Sequence, residues 1–268
     1  MLFRLTAPFT LALVSALTGC RERASSNASV APVTDRSHGE PAALEARHAD
    51  DGAITIDGHI REPAWRVTGT TGGFVHPGTG APLPSSKVKA QAWIAWDDTA
   101  VYIAARVEDP SPVSPFNPTD EDPHVWERAS GVELMLQPGD PGDNREYYEI
   151  QVAVNGARWT TRFDDYNRPI TAAPDGTRRY GHQDWSPALR YATHTDRERG
   201  YYEVEFALPW SDVRSSRVPV PPRIGDRWRV NLYSFRDGQG DSLAWSPLRG
   251  EGNFHRAARF GTVTFVGR

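Results

Sequence analysis

The stretch His124–Leu136, HVWERASGVELML, places a tryptophan among ionisable neighbours directly ahead of an alternating run. Trp126, Glu127 and Arg128 put a flat apolar ring beside a carboxylate and a guanidinium. Such a group either caps a core, the common fate of a lone tryptophan, or holds a flat surface out for a ligand. The charged neighbours disfavour deep burial.

Other chemistries find less support. Hydrolysis of a glycosidic bond needs two facing carboxyl groups, one of them held protonated. Glu203 and Glu205 share one face of an alternating run, which reads as a solvated face, and Asp164-Asp165 read as a turn. Ser130 sits in no nucleophile-elbow motif. The eight histidines have no zinc-ligand spacing. Met135 is the only methionine besides Met1, and a single methionine on a strand is packing, so no haem is expected. The acidic segments Asp120-Glu121-Asp122 and Asp237–Asp241 could supply hard oxygen ligands to calcium, although Asp and Gly form turns in any case. A net charge of −4 offers nothing to nucleic acid.

The elements that must position these residues are strands. Val88, Ala90, Ala92, Ile94 and Trp96 share one face. Asp97-Asp98-Thr99 turn the chain, and Val101, Ile103, Ala105 and Val107 return along the same face. Ala53–Ile56 is expected to be a further strand, as are 131–137, 146–154, 157–163, 189–194, 201–208, 228–235, 242–245 and 259–266. In the strand over 131–137, Val132, Leu134 and Leu136 point one way, with Glu133 and Met135 outward. No long helical period is present, and Pro209–Val213 makes one helical turn at most. Many short alternating strands with Gly- and Pro-rich joints imply an all-β fold, a β-sandwich of two packed sheets in the jelly-roll or immunoglobulin manner with one or two helical turns.

The ends carry a different signal. Residues 1–20 comprise one early charge, Arg4, an apolar run from Leu5 to Leu17, and then Thr18-Gly19-Cys20. The run is too short for a membrane-spanning helix. The segment resembles the processing box of bacterial lipoproteins, which implies cleavage before Cys20 and lipid on its thiol. Cys20 is the only cysteine and has no disulfide partner within the chain. Residue 21 is Arg rather than Asp, which implies sorting to the outer membrane. Residues 21–51 are rich in Ala, Ser and Pro, contain no aromatic residue, and read as a flexible tether with at most a short helix near residues 40–48. All nine tryptophans and all nine tyrosines follow, so residues 52–268 form one folded head.

Within that head, ITIDG at 54–58 with EPAW at 62–65, AWIAWDD at 92–98, VYIAA at 101–105, VEDP at 107–110, WE at 126–127 before GVEL, YEVEFALPW at 202–210, GD at 225–226 before RVN, AWS at 244–246 and FGTV at 260–263 stand in one order and spacing. Together they resemble the family 9 carbohydrate-binding modules, sandwich domains often joined to xylanases. That resemblance implies non-catalytic binding of an oligo- or polysaccharide by a monomeric, lipid-anchored envelope protein accessory to polysaccharide breakdown. It places Trp126 as one of two aromatic platforms at the edge of the sandwich, with Glu127 and Arg128 as edge contacts. A sugar's C–H face is apolar and its hydroxyls point sideways, so a ring takes the face and polar groups the rim. The second platform falls to Phe254 or His255 next to Asn253, and a family arginine is replaced by Gln151. The resemblance also implies a structural calcium ion braced by Asp109 and Asp122. Residues 164–187 form a polar insertion of unassigned role. The alternatives are a glycoside-hydrolase-associated or weakly catalytic domain, a haem-binding sandwich of the DOMON type, and an envelope scaffold without ligand.

Overall fold

The computed structural model describes residues 29–120, 123–236, 241–250 and 253–268. In chain order the elements are β1 (Ala43–His48), α1 (Pro63–Val67), β2 (Gly69–Thr70), β3 (Lys89–Trp96), β4 (Ala100–Glu108), α2 (Val125–Arg128), β5 (Ser130–Gln137), β6 (Arg145–Ala153), β7 (Arg158–Asp165), β8 (Thr171–Ala172), β9 (Arg178–Arg179), β10 (Arg190–Asp196), β11 (Tyr201–Pro209), β12 (Arg227–Arg236), β13 (Leu243–Ala244) and β14 (Gly261–Val266). Single 3₁₀ turns lie at Trp210–Asp212 and Ala257–Arg259.

The main strands follow one hydrogen-bonded path, β10-β11-β4-β3-β1-β14-β12-β5-β6-β7. This sheet curls until its two halves face each other, because each half has an apolar face that only the other can cover. The expected inward set builds the shared core: Ile94, Ile103, Val107, Val132, Leu134, Ile150, Val204, Phe206, Leu232 and Phe265 lie within it. The β3–β4 hairpin forms as the alternation predicts, with Ile94 opposite Ile103. Its turn is locked by Asp97, whose carboxylate accepts from Thr99 N, Ala100 N and the Thr99 and Tyr102 hydroxyls.

The tether expected over residues 21–51 does not describe the segment from Val30 onward, and the expected helix near 40–48 is strand β1. Leu44 and Ala46 point into the core, and β1 pairs in parallel with both β14 and β3. Ahead of β1, Val30 N donates to Glu108 Oε1 at 2.8 Å and Ala31 N to Gln91 Oε1 at 2.7 Å. The Arg36 guanidinium donates to the carbonyls of Gly73, Trp245 and Thr71. Two inward residues, one an alanine, carry little apolar signal, and the strand is held by partners more than 45 positions away. The expected lipid site Cys20 lies outside the described residues.

Neither outer face is left bare. Residues 49–67 fold over β3, β4 and β11 and bury Ile54, Ile60 and Trp65. Ala53–Ile56, expected as a strand, belongs to this covering segment and pairs with nothing in the sheet. The cover also overturns the reading of Glu203 and Glu205 as solvated, since both are buried. Glu205 accepts from Asp57 N, Gly58 N and Trp65 Nε1. Glu203 pairs with Arg106 at 2.8 Å, and that guanidinium lies over the Tyr201 ring. On the other half, Met135 is fully buried beside Tyr147, Phe163 and Tyr233 rather than outward to solvent, because the loop reaching Phe260 covers it.

Candidate functional site

The outer face of β12, β5, β6 and β7 positions the site. Strand register sets Tyr233, Glu133, Gln151 and Trp159 side by side across four strands. The next row is Asn231, Met135, Glu149 and Thr161. Side chains two apart on a strand share a face, so Glu133, Glu149 and Gln151 form a polar island. Apolar clusters flank it, one around Met135, Tyr147 and Phe163 and the other around Val125, Ala153 and Phe235.

A cleft of about 430 Å³ opens above this island, within the usual size of small-ligand sites. Helix α2 supplies one flank. Val125 and Ala129, four positions apart, are buried against the sheet, so Trp126 is turned outward and remains 47 % exposed. Its backbone N donates to Gln151 Oε1 at 3.1 Å, tying the helix to the floor. The second flank comes from the segment after residue 252. Phe254 stacks on Tyr233 with centroids 4.1 Å apart and planes 6° apart. His255 stacks on Tyr166 at 4.0 Å and pairs through Nδ1 with the Tyr147 hydroxyl at 2.7 Å. Asn253 Nδ2 donates to the Tyr166 hydroxyl. Each ring is fixed on one side and does not have to be ordered when a ligand arrives.

The structure thus brings Trp126, Gln151, Asn253, Phe254 and His255 to one cleft. It does not bring Glu127 and Arg128 there. Glu127 pairs with His124 at 3.3 Å, and Arg128 lies over Phe116. On a four-residue helix whose second position faces the cleft, the next two residues rotate away from it. The cleft also lies on a sheet face rather than at the edge of the sandwich. Sequence reasoning missed Glu133, Glu149, Trp159, Tyr166 and Phe235, all of which line it. Glu133 was marked outward by alternation, and only the register with β6 reveals its neighbours. Tyr166 gives the insertion at 164–187 one role, that of carrying a ring to the site. Trp185 gives it another, by packing against the core.

Desolvation dominates the electrostatics. Burial, then repulsion from Glu149, raises the Glu133 carboxyl well above the usual range. Burial pushes Glu149 up to about 8 and His255 down to about 3. Burial therefore favours the uncharged form of both carboxyls and of the imidazole. Gln151 Nε2 donates to Glu149 Oε1 at 2.6 Å, while Glu133 Oε1, Glu149 Oε2 and Trp159 Nε1 have no hydrogen-bond partner.

These shifts predict how stability varies with pH. A carboxyl raised from 4.5 to about 8 stabilises the fold fully below 4.5 and loses that contribution as pH rises through 8. Glu205, raised to about 7 by burial and then by Glu62, acts in the same direction. His255 opposes them only below its ordinary value of 6.5. The melting temperature is therefore expected to fall between about pH 4.5 and 8, by a free energy on the order of a few kcal/mol, with His255 offsetting part of the fall below 6.5. Glu149→Gln should flatten part of that fall. A flat profile for the unaltered protein in scanning fluorimetry would contradict the buried acid pair.

The Asp109 carboxylate is engaged within the fold. Asp109 Oδ1 accepts from Ser111 N, and Oδ2 accepts from the Ser130 hydroxyl and lies 3.5 Å from Arg236 Nε, so a cation already answers its charge. Asp122 lies outside the described residues. Among the described residues no group of three or more His, Cys, Asp or Glu could hold a metal ion.

The profile of the family described as "Carbohydrate family 9 binding domain-like" matches residues 56–268. No curated protein matches the chain. Among solved structures, it is similar to a family 9 carbohydrate-binding module from Caldicellulosiruptor kristjanssonii in complex with cellotriose. That pair shares 16 % identity with a TM-score of 0.55, over 84 % of this chain and 94 % of the other. The glucose complex from the same organism gives 16 % identity and a TM-score of 0.51, over 84 % of this chain and 95 % of the other. A putative carbohydrate-binding protein from Bacteroides uniformis gives 17 % identity and a TM-score of 0.54, over 84 % of this chain and all of the other. At this identity the likeness establishes a shared fold.

Proposed function

The chain belongs to the carbohydrate family 9 binding domain-like family, and from that premise we propose that it binds an oligo- or polysaccharide, without cleaving it, in the cleft beside Trp126. The observation that carries the reading is the half-exposed Trp126 indole at a cleft whose floor holds unpaired polar atoms. The ring buries a sugar face, and Glu133 Oε1, Glu149 Oε2 and Trp159 Nε1 pair with hydroxyls at its rim. The binding of cellotriose and glucose by the family 9 modules of similar fold supports a carbohydrate as the ligand. Non-catalytic action is favoured by the state of the two acids. A hydrolase needs one carboxyl ionised as base or nucleophile, whereas burial disfavours the ionised form of both of these.

In this reading lipid on Cys20 anchors the protein in the outer membrane, where it serves polysaccharide breakdown. Affinity electrophoresis through gels cast with soluble β-linked polysaccharides tests the binding, and retardation by at least one of them is expected. Mobility unchanged in every gel, with tryptophan fluorescence unmoved by oligosaccharides, would remove the carbohydrate reading. Cys20→Ser is expected to move the protein from the membrane to the soluble fraction. Unchanged membrane partition would remove the anchor.

A further inference from the structure

The floor of the cleft carries more acid than a neutral sugar calls for. Glu133 and Glu149 are 2 % and 3 % exposed, and each keeps one oxygen without a hydrogen bond. Gln151 Nε2 serves the other two oxygens, at 3.4 Å and 2.6 Å. Among the described residues no lysine or arginine lines the cleft. The nearest base is His255, whose Nε2 stands 3.7 Å from Glu149 Oε2 and which burial keeps uncharged. Tyr147, Tyr166 and Tyr233 also surround the acids, and burial raises all three phenols. The walls are aromatic, formed by Trp126, Trp159, Phe235 and Phe254. Two acids without a cation inside an aromatic enclosure form a receptor for positive charge.

We propose that the cleft selects a saccharide bearing a free amino group, its ammonium seated against the unpaired oxygens of Glu133 and Glu149 at the cleft floor and its ring on Trp126. The proposal rests on the carbohydrate reading above and names the class of sugar. An ammonium has three donors and no acceptor, which matches two unpaired oxygens. The required charge step is small: ionising Glu149, raised to about 8, costs about one factor of ten at pH 7. Charge-assisted hydrogen bonds away from water are about twice as strong as neutral ones and act against that cost. The balance is one proton from a carboxyl to solvent for each ammonium bound.

Calorimetry on the intact chain tests this with three trisaccharides: β-1,4-linked glucosamine, its fully N-acetylated form, and cellotriose. Each is titrated at pH 7 in two buffers of different ionisation heat. The glucosamine trimer is expected to bind about tenfold or more tighter than cellotriose, with a buffer-dependent heat that reports the released proton. Acetylation, which removes the charge, should erase the advantage, and Glu149→Gln should bring the glucosamine-to-cellotriose ratio close to one. Equal or tighter binding of cellotriose or of the acetylated trimer by the unaltered protein overturns the amino-sugar assignment and leaves carbohydrate binding intact. Silence toward every glycan, including the polysaccharides above, overturns both.

Discussion

Trp126→Ala is expected to abolish retardation by polysaccharide while the melting curve stays within a few degrees of the parent. The indole is 47 % exposed and is held by helix α2, whose packing depends on Val125 and Ala129. Removing an aromatic anchor at a binding site costs roughly 2 kcal/mol or more, which is at least tenfold in affinity. A substitution at an exposed position away from the core changes stability by about 0.5 kcal/mol. The Gln151 bond is made to the backbone N of residue 126, so it survives the change. A large loss of stability would assign Trp126 to the core, and undiminished binding would move the sugar elsewhere. Phe254→Ala makes a harsher companion, because its ring is stacked on Tyr233 and its loss opens a packed cluster.

The second large effect concerns the segment that composition marks as a tether. A chain beginning at residue 52 is expected to fail to fold cooperatively, although it retains every residue of the cleft. Strand β1 lies between β14 and β3, so its removal leaves two bare edges where the sheet was continuous. It also removes Leu44 and Ala46 from the core and the contacts of Arg36. Domains of this size are stable by only about 5–15 kcal/mol, and the loss of a central strand is of that order. Arg36→Ala tests the same segment more gently. It strands three backbone carbonyls and should cost about 1–3 kcal/mol in a denaturant titration. A soluble fragment 52–268 with an unchanged transition would return this segment to the role of tether.

One residue, Gln151, organises the floor of the cleft. Position 151 carries no cation that would hold Glu133 and Glu149 ionised. Gln151 instead donates to both acids and accepts from the Trp126 backbone, so one amide fixes the platform helix and the acid pair together.

Much of the molecule was legible in the residues alone. Alternation identified the β3–β4 hairpin, β5, β6, β11 and β12 nearly to the residue, since a strand that buries one face must repeat every two positions. The charged neighbours of Trp126 marked it as a ring turned to solvent. The order of short motifs then pointed to Gln151, Asn253, Phe254 and His255, which the fold gathers. Tertiary structure decided the rest, because alternation says which way a side chain points and nothing about what lies over it. Glu203 and Glu205 point outward and are buried by residues 49–67; Met135 points outward and is buried beneath the loop to Phe260. Glu133 and Glu149 are sixteen positions apart and meet only through the β5–β6 register, which no local period encodes. Strand β1 has almost no signal of its own, since its stability resides in the two distant strands it joins.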